Sequence, residues 1–462
     1  MRVFAYDVQS IHSFLFESLE FKAIAGASLL IDRFDEAMKK TASEQIKCLF
    51  AGGGTGLFVV RGENSKLRKL FEEKKKEYLY DHPVACVEFE FDDRSINTDD
   101  YPIWFRCKGL KESGDFPKIY SRVALELEKE KQRIAENLTQ ERVLSHPCPL
   151  CGNREKDSSY PYNDDYICKA CYLKIRESSQ IEDRKVTFNL DLISKRGKET
   201  RKSEEKTEEG YIGVVYGDGN SLGNVYQKMN TSEEFSTFSL QLRKHLQSAI
   251  EESAKIVDHY AVPLRGGDDF LMILPPAQII QVLEILERQL EPLRTEKSIT
   301  FSFGLAVLPK TVPLKFIFQI VEALQDEAKH ERSQYSRETN EHYAAFRFID
   351  KPFFGEVRDK KKKLQYGAGM TTRELFAIHQ KVQGLMAQKV TKGVMSKLQQ
   401  IFVESENRAF TLNSFYFLSR NTEIPKTKIR DFVTDEISKQ RFGTLEDVFL
   451  FQESFGEGES DG

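Results

Sequence analysis

Apolar residues along the chain switch repeatedly between the spacing of strands and the spacing of amphipathic helices. Over residues 1–92 the pattern predicts strands at Arg2–Tyr6, Ile46–Phe50, Leu57–Val60 and Val84–Phe91. It predicts helical stretches at Ile11–Lys40, after the first strand, and at Leu67–Tyr80, before the last. Within the helical stretch, Ala25-Gly26 predicts a break, because glycine weakens a helix interior. A glycine-rich turn, Gly52-Gly53-Gly54-Thr55, separates the two middle strands.

The same order of elements returns in the second half of the chain. Strands are predicted at Tyr211–Tyr216, His259–Leu264, Phe270–Leu274 and Ile299–Val307, and helices at Glu233–Val257, Gln278–Leu290 and Leu314–His330. A second glycine-rich turn, Gly266-Gly267-Asp268-Asp269, again lies between the middle strands. The first turn begins 45 residues after Asp7 and the second 48 residues after Asp218. This repeat predicts an α+β fold with two ferredoxin-like βαββαβ units.

The segments outside the two units have different patterns. Residues 117–139 predict an amphipathic helix, and the highly charged Lys195–Glu209 predicts an exposed loop. Beyond residue 370 the pattern is helical, over Thr372–Gln388, Ser396–Glu404 and Lys426–Gln440, and an acidic tail follows. We therefore predict four domains: the first unit at 1–140, a cysteine-rich segment with a charged linker at 141–210, the second unit at 211–355, and a helical C-terminal domain at 356–462.

Composition adds limits on function. The 462 residues carry a formal charge of −4, so any nucleic-acid-binding surface must be a local patch. The run Lys360–Lys363 is one candidate, although a solvated loop is the favoured interpretation because Tyr366 is the one aromatic residue near it. No apolar run approaches the roughly 18 residues of a membrane span, and the N-terminus lacks the apolar core of a secretion signal. We expect a cytoplasmic protein with no membrane partner.

Four of the seven cysteines form two closely spaced pairs. They lie in Cys148-Pro-Leu-Cys151 and, sixteen residues later, in Cys168-Lys-Ala-Cys171. This spacing predicts a four-cysteine zinc ribbon, and four thiolates close the tetrahedron, so the zinc is expected to be structural. Two disulfides are disfavoured in a reducing compartment, and a redox pair is disfavoured without a βαβ context. From the sequence, nucleotide activity of the folded protein is expected not to depend on this zinc.

The remaining cysteines occur singly. Cys48, Cys86 and Cys107 lie in apolar, strand-like segments. We interpret them as small hydrophobic residues.

The second glycine-rich turn is the strongest candidate for chemistry. In Arg265-Gly-Gly-Asp-Asp-Phe270, two glycines permit a tight turn and close approach of a polyphosphate. Two adjacent carboxylates repel each other, and a fold that keeps both ionised usually supplies a cation. Asp218 ends the first strand of the same unit, which predicts three carboxylates at neighbouring strand tips. Such oxygen ligands suit Mg²⁺ or Mn²⁺ and a two-metal displacement of pyrophosphate. An ordinary aspartate-rich turn is the alternative.

The first unit lacks this acidic set. Gly54-Thr55 stands where the second unit has two aspartates, so Asp7 is the one acid of the set that remains. We expect the second unit to carry the chemistry and the first to bind a nucleotide without activating it.

These residues resemble a known family, the large GGDD-containing polymerase subunit of type III CRISPR effector complexes. The resemblance rests on Gly26-Ala27-Ser28, the acid-free Gly52-Gly53-Gly54, the four cysteines, Tyr216-Gly-Asp-Gly-Asn220 with Leu222-Gly223, and Arg265–Phe270 followed by Ser302-Phe303-Gly304. It implies two palm domains face to face with ATP between them. It also implies synthesis of cyclic oligoadenylates, switched on when guide RNA in the complex pairs with target RNA.

The resemblance also assigns residues. It implies Asp218, Asp268 and Asp269 as catalytic ligands of Mg²⁺ or Mn²⁺. For ATP we predict contacts from the open turns Gly219-Asn220, Gly266-Gly267 and Gly52-Gly53, from Lys329, and from a turn at Gly26-Ala27-Ser28. Lys329 could equally be a solvated helix lysine. Many members of the family begin with an HD nuclease domain, and since this sequence opens on a palm strand we expect no such DNase activity.

Two other functions compete with this interpretation. A diguanylate cyclase also has a palm, and its signature differs from Arg265–Phe270 by glutamate in place of Asp269. A second palm in the same chain and the cysteine ribbon argue against it. A non-catalytic scaffold that holds RNA and neighbouring subunits is the other alternative, and the intact acidic set argues against that.

Overall fold

A computed structural model describes the residues in the ranges 2–18, 20–60, 65–90, 115–137, 144–181, 185–194, 210–226, 228–229, 231–335, 340–349, 369–386, 397 and 442–455. The chain divides into two compact units. The first contains Met1–Phe188, Ser221–Gln247 and Val262–Phe270, and the second contains Asn189–Asn220, Ser248–Ala261 and Leu271–Gly462. Among the described helices, none has both the length and the apolar character that a membrane span requires.

Four strands of the first unit form an antiparallel sheet. They are β1 Arg2–Val8, β2 Ile46–Gly52, β3 Thr55–Val60 and β4 Val84–Glu90, in the order β2-β3-β1-β4. Strand β1 pairs antiparallel with both β3 and β4. This is the strand order of a ferredoxin-like unit, and the prediction from the alternating pattern is confirmed. We call this sheet with its helices the first palm.

The helices of the first palm differ in one respect from prediction. The predicted stretch Ile11–Lys40 is two helices, α1 Ile11–Leu15 and α2 Phe21–Lys39, and the break precedes Phe21. The predicted break at Ala25-Gly26 is therefore wrong, because Gly26 lies inside α2. There a Cβ atom would overlap the main-chain carbonyl of Lys174 on a neighbouring helix, so glycine permits close helix packing. Helix α3 Ser65–Lys74 continues as a π-helical turn, Lys75–Leu79.

Aromatic side chains fill the core between the first sheet and its helices. Tyr6 and Phe4 of β1 are fully buried, as are Phe34 of α2 and Phe71 of α3. Ring centroids lie 5.5 Å apart for Phe4 and Phe71, 5.0 Å for Tyr6 and Phe34, and 6.0 Å for Phe34 and Phe71. Edge-to-face contacts of this kind add stability beyond the area that they bury. They fix both helices against β1.

The second sheet has six strands. They are β7 Tyr211–Gly219, β8 Ala261–Arg265, β9 Asp269–Leu274, β10 Phe301–Pro309, β11 Tyr343–Phe348 and β12 Met370–Thr371, in the order β12-β11-β10-β7-β9-β8. The spatial order β10-β7-β9-β8 matches β4-β1-β3-β2 of the first sheet, when each sheet is read from the fourth strand of its unit. We call β7–β10 with their helices the second palm. The parallel pair of β10 and β11, and the short β12, extend this sheet beyond what the sequence pattern predicted.

Helices accompany the second sheet largely where the periodicity placed them. They are α7 Leu222–Tyr226, α8 Ser232–Lys255, α9 Ile279–Lys297, α10 Leu314–Tyr335, α11 Thr372–Met386 and α12 Phe442–Phe455. At Gly304 of β10 a Cβ atom would collide with the main chain of α10, which explains glycine in Ser302-Phe303-Gly304.

The cysteine module (residues 144–181) belongs to the first unit. It contains a two-stranded hairpin, β5 Pro161–Tyr162 with β6 Asp165–Tyr166, and helix α5 Lys169–Ser178. Helix α4 Asp115–Asn137 precedes it, and the short α6 Leu190–Ile193 opens the second unit. Several predicted features lie outside the described residues: Lys195–Glu209, Cys107, Lys360–Lys363, the helix Lys426–Gln440, all of Ser396–Glu404 except Lys397, and the acidic tail.

Candidate functional site

A pocket of about 460 Å³ opens in the first unit where residues of both palms meet. The first-palm residues that line it come from the end of β1, from α1 and α2, and from the glycine-rich turn after β2. They are Val8, Ser10, Ile11, His12, Ser13, Ser28, Ile31 and Gly53. The second palm lines it with Leu264, Arg265, Gly266 and Asp269. The predicted residues Ser28, Gly53, Gly266 and Asp269 therefore share one pocket.

The two glycines of the acidic hairpin (Gly266-Gly267-Asp268-Asp269) have different surroundings. The Gly266 N–H donates to the main-chain oxygen of Asp269 at 2.7 Å, which closes the turn. A Cβ atom at Gly266 would overlap Asp269 Oδ1, so the carboxylate folds over this residue. At Gly267 a Cβ atom would meet nothing within 4 Å. Gly266 thus shapes the position of Asp269, while Gly267 leaves open space beside the backbone.

The acid-free hairpin (Gly52-Gly53-Gly54-Thr55) contacts the acidic hairpin directly. Gly53 and Gly54 have left-handed φ angles of 61° and 80°, which glycine adopts without strain. A Cβ atom at Gly53 would lie 2.7 Å from the Gly267 nitrogen. Nearby, the Arg265 N–H donates to Ser28 Oγ at 3.2 Å. The two hairpins therefore meet backbone to backbone beside the pocket.

The predicted turn at Gly26-Ala27-Ser28 is wrong, since these residues lie within α2. Gly26 packs against α5 and Ala27 is fully buried, so neither presents a free amide to a phosphate. Ser28 is the member of this set that reaches the pocket.

A buried carboxyl group holds the acid-free hairpin in place. Asp35 of α2 accepts a hydrogen bond from the Gly54 N–H at 2.8 Å and another from the Tyr6 hydroxyl at 2.7 Å. Its side chain is fully buried. Burial raises the pKa of Asp35 to about 7, and the two hydrogen bonds only partly offset this rise. Asp35 thus couples the hairpin to the aromatic core.

The raised pKa predicts a pH-dependent stability that Asp35→Asn should remove. An acid whose pKa is raised by folding holds its proton more tightly in the folded protein than in the unfolded chain. Its contribution to the stability of the folded protein is fully present below the unfolded pKa of 3.8 and is lost as pH rises through about 7. Relative to Asp35→Asn, the wild-type free energy of unfolding should fall by about 4 kcal/mol from pH 4 to pH 8 and then level off. Urea unfolding of both proteins across this range measures it. Parallel pH curves would contradict the assignment.

Helix α1 brings a histidine to the acidic hairpin. His12 Nε2 lies 3.9 Å from Asp269 Oδ2, close enough for an ion pair when the imidazole is protonated. The sequence predicted Ile11–Ser13 to be helical, but it did not identify Ser10–Ser13 as pocket residues. Nothing in the local pattern of this five-residue helix, which follows Ser10 in a left-handed conformation, indicates that it reaches the acidic hairpin.

Asp218 lies at the end of β7 in the second unit, and its carboxylate has cationic and amide partners. Lys329 Nζ pairs with Asp218 Oδ2, and Gln325 Nε2 donates to the same oxygen at 3.2 Å. Lys329, predicted to contact a triphosphate, therefore contacts a predicted metal ligand. Asn220 is buried, and its side chain bonds to Thr300 Oγ1 at 3.2 Å and Ser302 Oγ at 3.0 Å.

The first palm contains an equivalent pair. Lys131 Nζ of α4 lies 2.8 Å from Asp7 Oδ2. Burial raises the pKa of Asp7 although Lys131 acts to lower it. In each palm an aspartate near the end of the first strand thus pairs with a lysine on the helix after the fourth strand. The internal repeat extends to this pair, and aligning the two palms by element order would have identified Lys131.

Two tyrosines lie on the Asp268 side of the acidic hairpin. Burial, with a further contribution from the charge of Asp268, raises the pKa of Tyr120 and raises that of Tyr226 to about 12. Their ring centroids lie 6.2 Å apart. The Asp268 carboxylate therefore disfavours ionisation of both tyrosine hydroxyls.

The four predicted zinc ligands converge. The Sγ atoms of Cys148, Cys151, Cys168 and Cys171 all lie within 4.8 Å of one another. The Cys168 N–H points to Cys148 Sγ at 3.3 Å and the Cys171 N–H to Cys168 Sγ at 3.4 Å. Gly152, at a left-handed φ of 68°, tightens the first pair, and the second pair begins α5. Four convergent thiols with such N–H contacts fit a structural zinc.

The comparisons with known proteins agree with this arrangement. Residues 211–337 match the family model of Cas10/Cmr2, second palm domain. No curated protein matches the chain in sequence. The family match covers the second palm, including Asp218, the acidic hairpin and Lys329.

Solved structures match almost the whole chain. A Csm1-Csm4 cassette in complex with pppApApA is 14% identical, with a TM-score of 0.59, over 98% of this chain and 69% of that chain. A Csm1-Csm4 cassette with AMPPNP is 15% identical, with a TM-score of 0.57, over 97% and 69%. Csm1 of T. onnurineus is 14% identical, with a TM-score of 0.56, over 97% and 69%. The second palm is therefore similar to that of Cas10/Cmr2, and the chain has a Csm1-like fold, so the resemblance predicted from the sequence is confirmed.

Proposed function

We propose that this protein joins ATP molecules into cyclic oligoadenylates. The observation that carries the proposal is the pocket in the first unit, where the acid-free hairpin, Ser28 and α1 meet Asp269 of the acidic hairpin. A nucleotide there would lie between a binding surface of the first palm and carboxylates of the second. The structures that match include Csm1-Csm4 cassettes in complex with AMPPNP, pppApApA and cA4, which supports ATP as the substrate.

We assign Asp218, Asp268 and Asp269 as ligands of Mg²⁺ or Mn²⁺. The sequence places Asp218 at the end of the first strand of its βαββαβ unit and Asp268-Asp269 in the hairpin of the same unit, and this order supports grouping the three carboxylates. The pairing of Asp218 with a lysine ammonium supports a cation-binding role. Bound divalent ions supply charge stabilisation for the attacking 3′-oxygen and the leaving pyrophosphate.

The residues of the chain itself orient the nucleotides. Gly267 leaves room for phosphate oxygens beside its backbone, and Gly266 sets the position of Asp269. In this proposal Lys329 exchanges its contact with Asp218 for a contact with phosphate when metal binds. Gly219 and Asn220 follow Asp218 and shape the end of β7. Gly53 allows the acid-free hairpin to approach the acidic hairpin closely, and Gly52 precedes it in the same turn.

The first palm binds a second nucleotide and positions it. Its pair of Asp7 and Lys131 corresponds to Asp218 and Lys329, but its hairpin carries no carboxylates. Lys131 is suited to a triphosphate, while a single aspartate is poorly suited to hold two metals. Orientation of this kind contributes several kcal/mol to lowering a barrier.

The alternatives remain distinguishable. A cyclic dinucleotide synthase of the GGDEF type would use GTP, and such enzymes pair palms from two chains, whereas here residues of both palms line one pocket in one chain. A non-catalytic scaffold would not require Asp269 to face a pocket. We favour synthesis from ATP.

The matched cassettes suggest the partners. Csm1 is found there with Csm4, and we propose that this chain binds a comparable subunit and, through other subunits, guide RNA and target RNA.

For the chain itself we propose four domains. They are the first palm at 1–140, the zinc ribbon and linker at 141–210, the second palm at 211–355 and a helical domain at 356–462.

Nucleotide stoichiometry tests the two-palm model. AMPPNP with Mg²⁺ should bind at two molecules per chain in equilibrium dialysis. Lys131→Met should weaken one of the two sites, because its ammonium is placed for the first-palm nucleotide. Lys129→Met is the matched control, since Lys129 is exposed on the same helix and pairs with Glu126. A single site per chain, or equal effects of both variants, would contradict the model.

A further inference from the structure

Lys174 is a buried lysine that ties the cysteine module to the first palm. It lies on α5, the helix that begins at Cys168 and contains Cys171, and its side chain is almost fully buried. Its Nζ donates to the main-chain oxygen of Phe14 at 2.6 Å and pairs with Glu17 Oε2 at 2.9 Å. The ammonium also lies 4.0 Å from the centroid of the Phe14 ring. All of its side-chain partners thus lie at or just after the end of α1.

Helix α1 is one wall of the pocket. Ser10, Ile11, His12 and Ser13 line it, and His12 approaches Asp269 there. The helix has only five residues, so it has little stability of its own and depends on tertiary contacts. Lys174 supplies such a contact from the side of α1 that carries Phe14, which is itself buried.

The backbone of Lys174 touches a second wall. Its carbonyl oxygen lies against Gly26, where any Cβ atom would overlap it. Two residues further along α2, Ser28 lines the pocket and accepts a hydrogen bond from the Arg265 N–H. One residue of the cysteine module therefore contacts both helices that form the first-palm side of the pocket.

We infer that Lys174 is a positioning residue through which the cysteine module sets the shape of the nucleotide pocket. The inference rests on the proposed function and revises the expectation that nucleotide activity is independent of the module. Four cysteines fix the start of α5, and Lys174 lies one turn beyond Cys171. The position of the module is thereby transmitted to α1 and α2.

Glu17 receives two cations of the cysteine module, so the loss of one of them leaves buried groups without a partner. Glu17 also pairs with Arg154 of the module, which in turn pairs with Asp81 at 2.8 Å. Removing Lys174 would leave the Phe14 carbonyl without this buried donor and Glu17 with one cation instead of two. Unpaired buried polar groups favour local rearrangement, here of α1.

The test compares Lys174→Met with Lys169→Met. Lys169 is an exposed lysine on the same helix, so its replacement controls for loss of charge in α5. In Lys174→Met, AMPPNP should bind about tenfold or more weakly, and hydrogen exchange of the α1 amides should accelerate. Metal analysis should still find one zinc per chain. Lys169→Met should match the wild type in all three measurements.

The outcomes separate the possibilities. Unchanged affinity and exchange in a zinc-loaded Lys174→Met protein would overturn the inference, and loss of zinc together with affinity would reduce Lys174 to a structural role. If Lys174→Met does not fold, Glu17→Gln decides: affinity reduced severalfold with zinc retained supports the link, and wild-type affinity refutes it. Failure of the wild type to bind AMPPNP would contradict the proposed function instead, and exchange of α1 would still test the link.

Discussion

Replacing Asp268 and Asp269 together by alanine should lower the rate of oligoadenylate formation at least a thousandfold. The two carboxylates are the acidic half of the hairpin, and without them the developing charge on the reacting oxygens loses its stabilisation by metal. A thousandfold loss corresponds to about 4 kcal/mol of barrier, well within what a two-metal site supplies. The rate of product formation from ATP with Mn²⁺, followed by chromatography, measures the effect.

The matched control removes two adjacent carboxylates elsewhere. Glu251→Ala with Glu252→Ala makes the same change in charge on α8 and should leave the rate unchanged. Without metal, the hairpin double variant should be at least as stable as the wild type, because two neighbouring negative charges no longer repel each other. Synthesis by the hairpin variant at nearly the wild-type rate would rule out these aspartates as metal ligands.

Gly53→Ala should lower the same rate about a hundredfold or more, although no reacting group is changed. An alanine there would adopt a left-handed φ, at a cost of about 1–2 kcal/mol, and its Cβ would lie 2.7 Å from the Gly267 nitrogen. The clash separates the acid-free hairpin from the acidic hairpin. A nucleotide held by the first palm would then be displaced from the carboxylates of the second, and even an ångström of misplacement is costly.

Gly152→Ala separates backbone strain from the contact between hairpins. Gly152 has a similar φ of 68°, but a Cβ atom there would meet nothing within 4 Å. This control should lose some stability and, in protein that retains its zinc, keep its rate. If folded Gly53→Ala and Gly152→Ala proteins had equal rates, the contact between hairpins would have no part in synthesis.

Much of the fold could be predicted because local pattern and tertiary structure agree in both palms. Strand and helix periods alternate clearly in each unit, and the two glycine-rich turns fall between the same strands. The four cysteines were equally clear, since C-x-x-C spacing geometrically constrains the ligands. Features of this kind can be predicted because they are determined by residues that are close together in the sequence.

The remaining parts of the site depend on packing between distant segments. Gly26 looked like a break because glycine weakens helices, yet the close approach of α5 places it inside α2. His12 lies in a stretch that was predicted to be helical, but its approach to Asp269 brings together residues far apart in the chain. The role of Lys174 follows from burial, which its place in a charged segment did not reveal.

The most direct test of the central claim is mass spectrometry of the products formed by the pure protein from each nucleoside triphosphate with Mg²⁺ or Mn²⁺. If the protein acts only with partner subunits and target RNA, the assembled complex is the sample. The proposed function predicts cyclic oligomers of AMP from ATP, and no such product after replacement of Asp268 and Asp269. Cyclic di-GMP from GTP, or no product from any triphosphate in the activated complex, would contradict it.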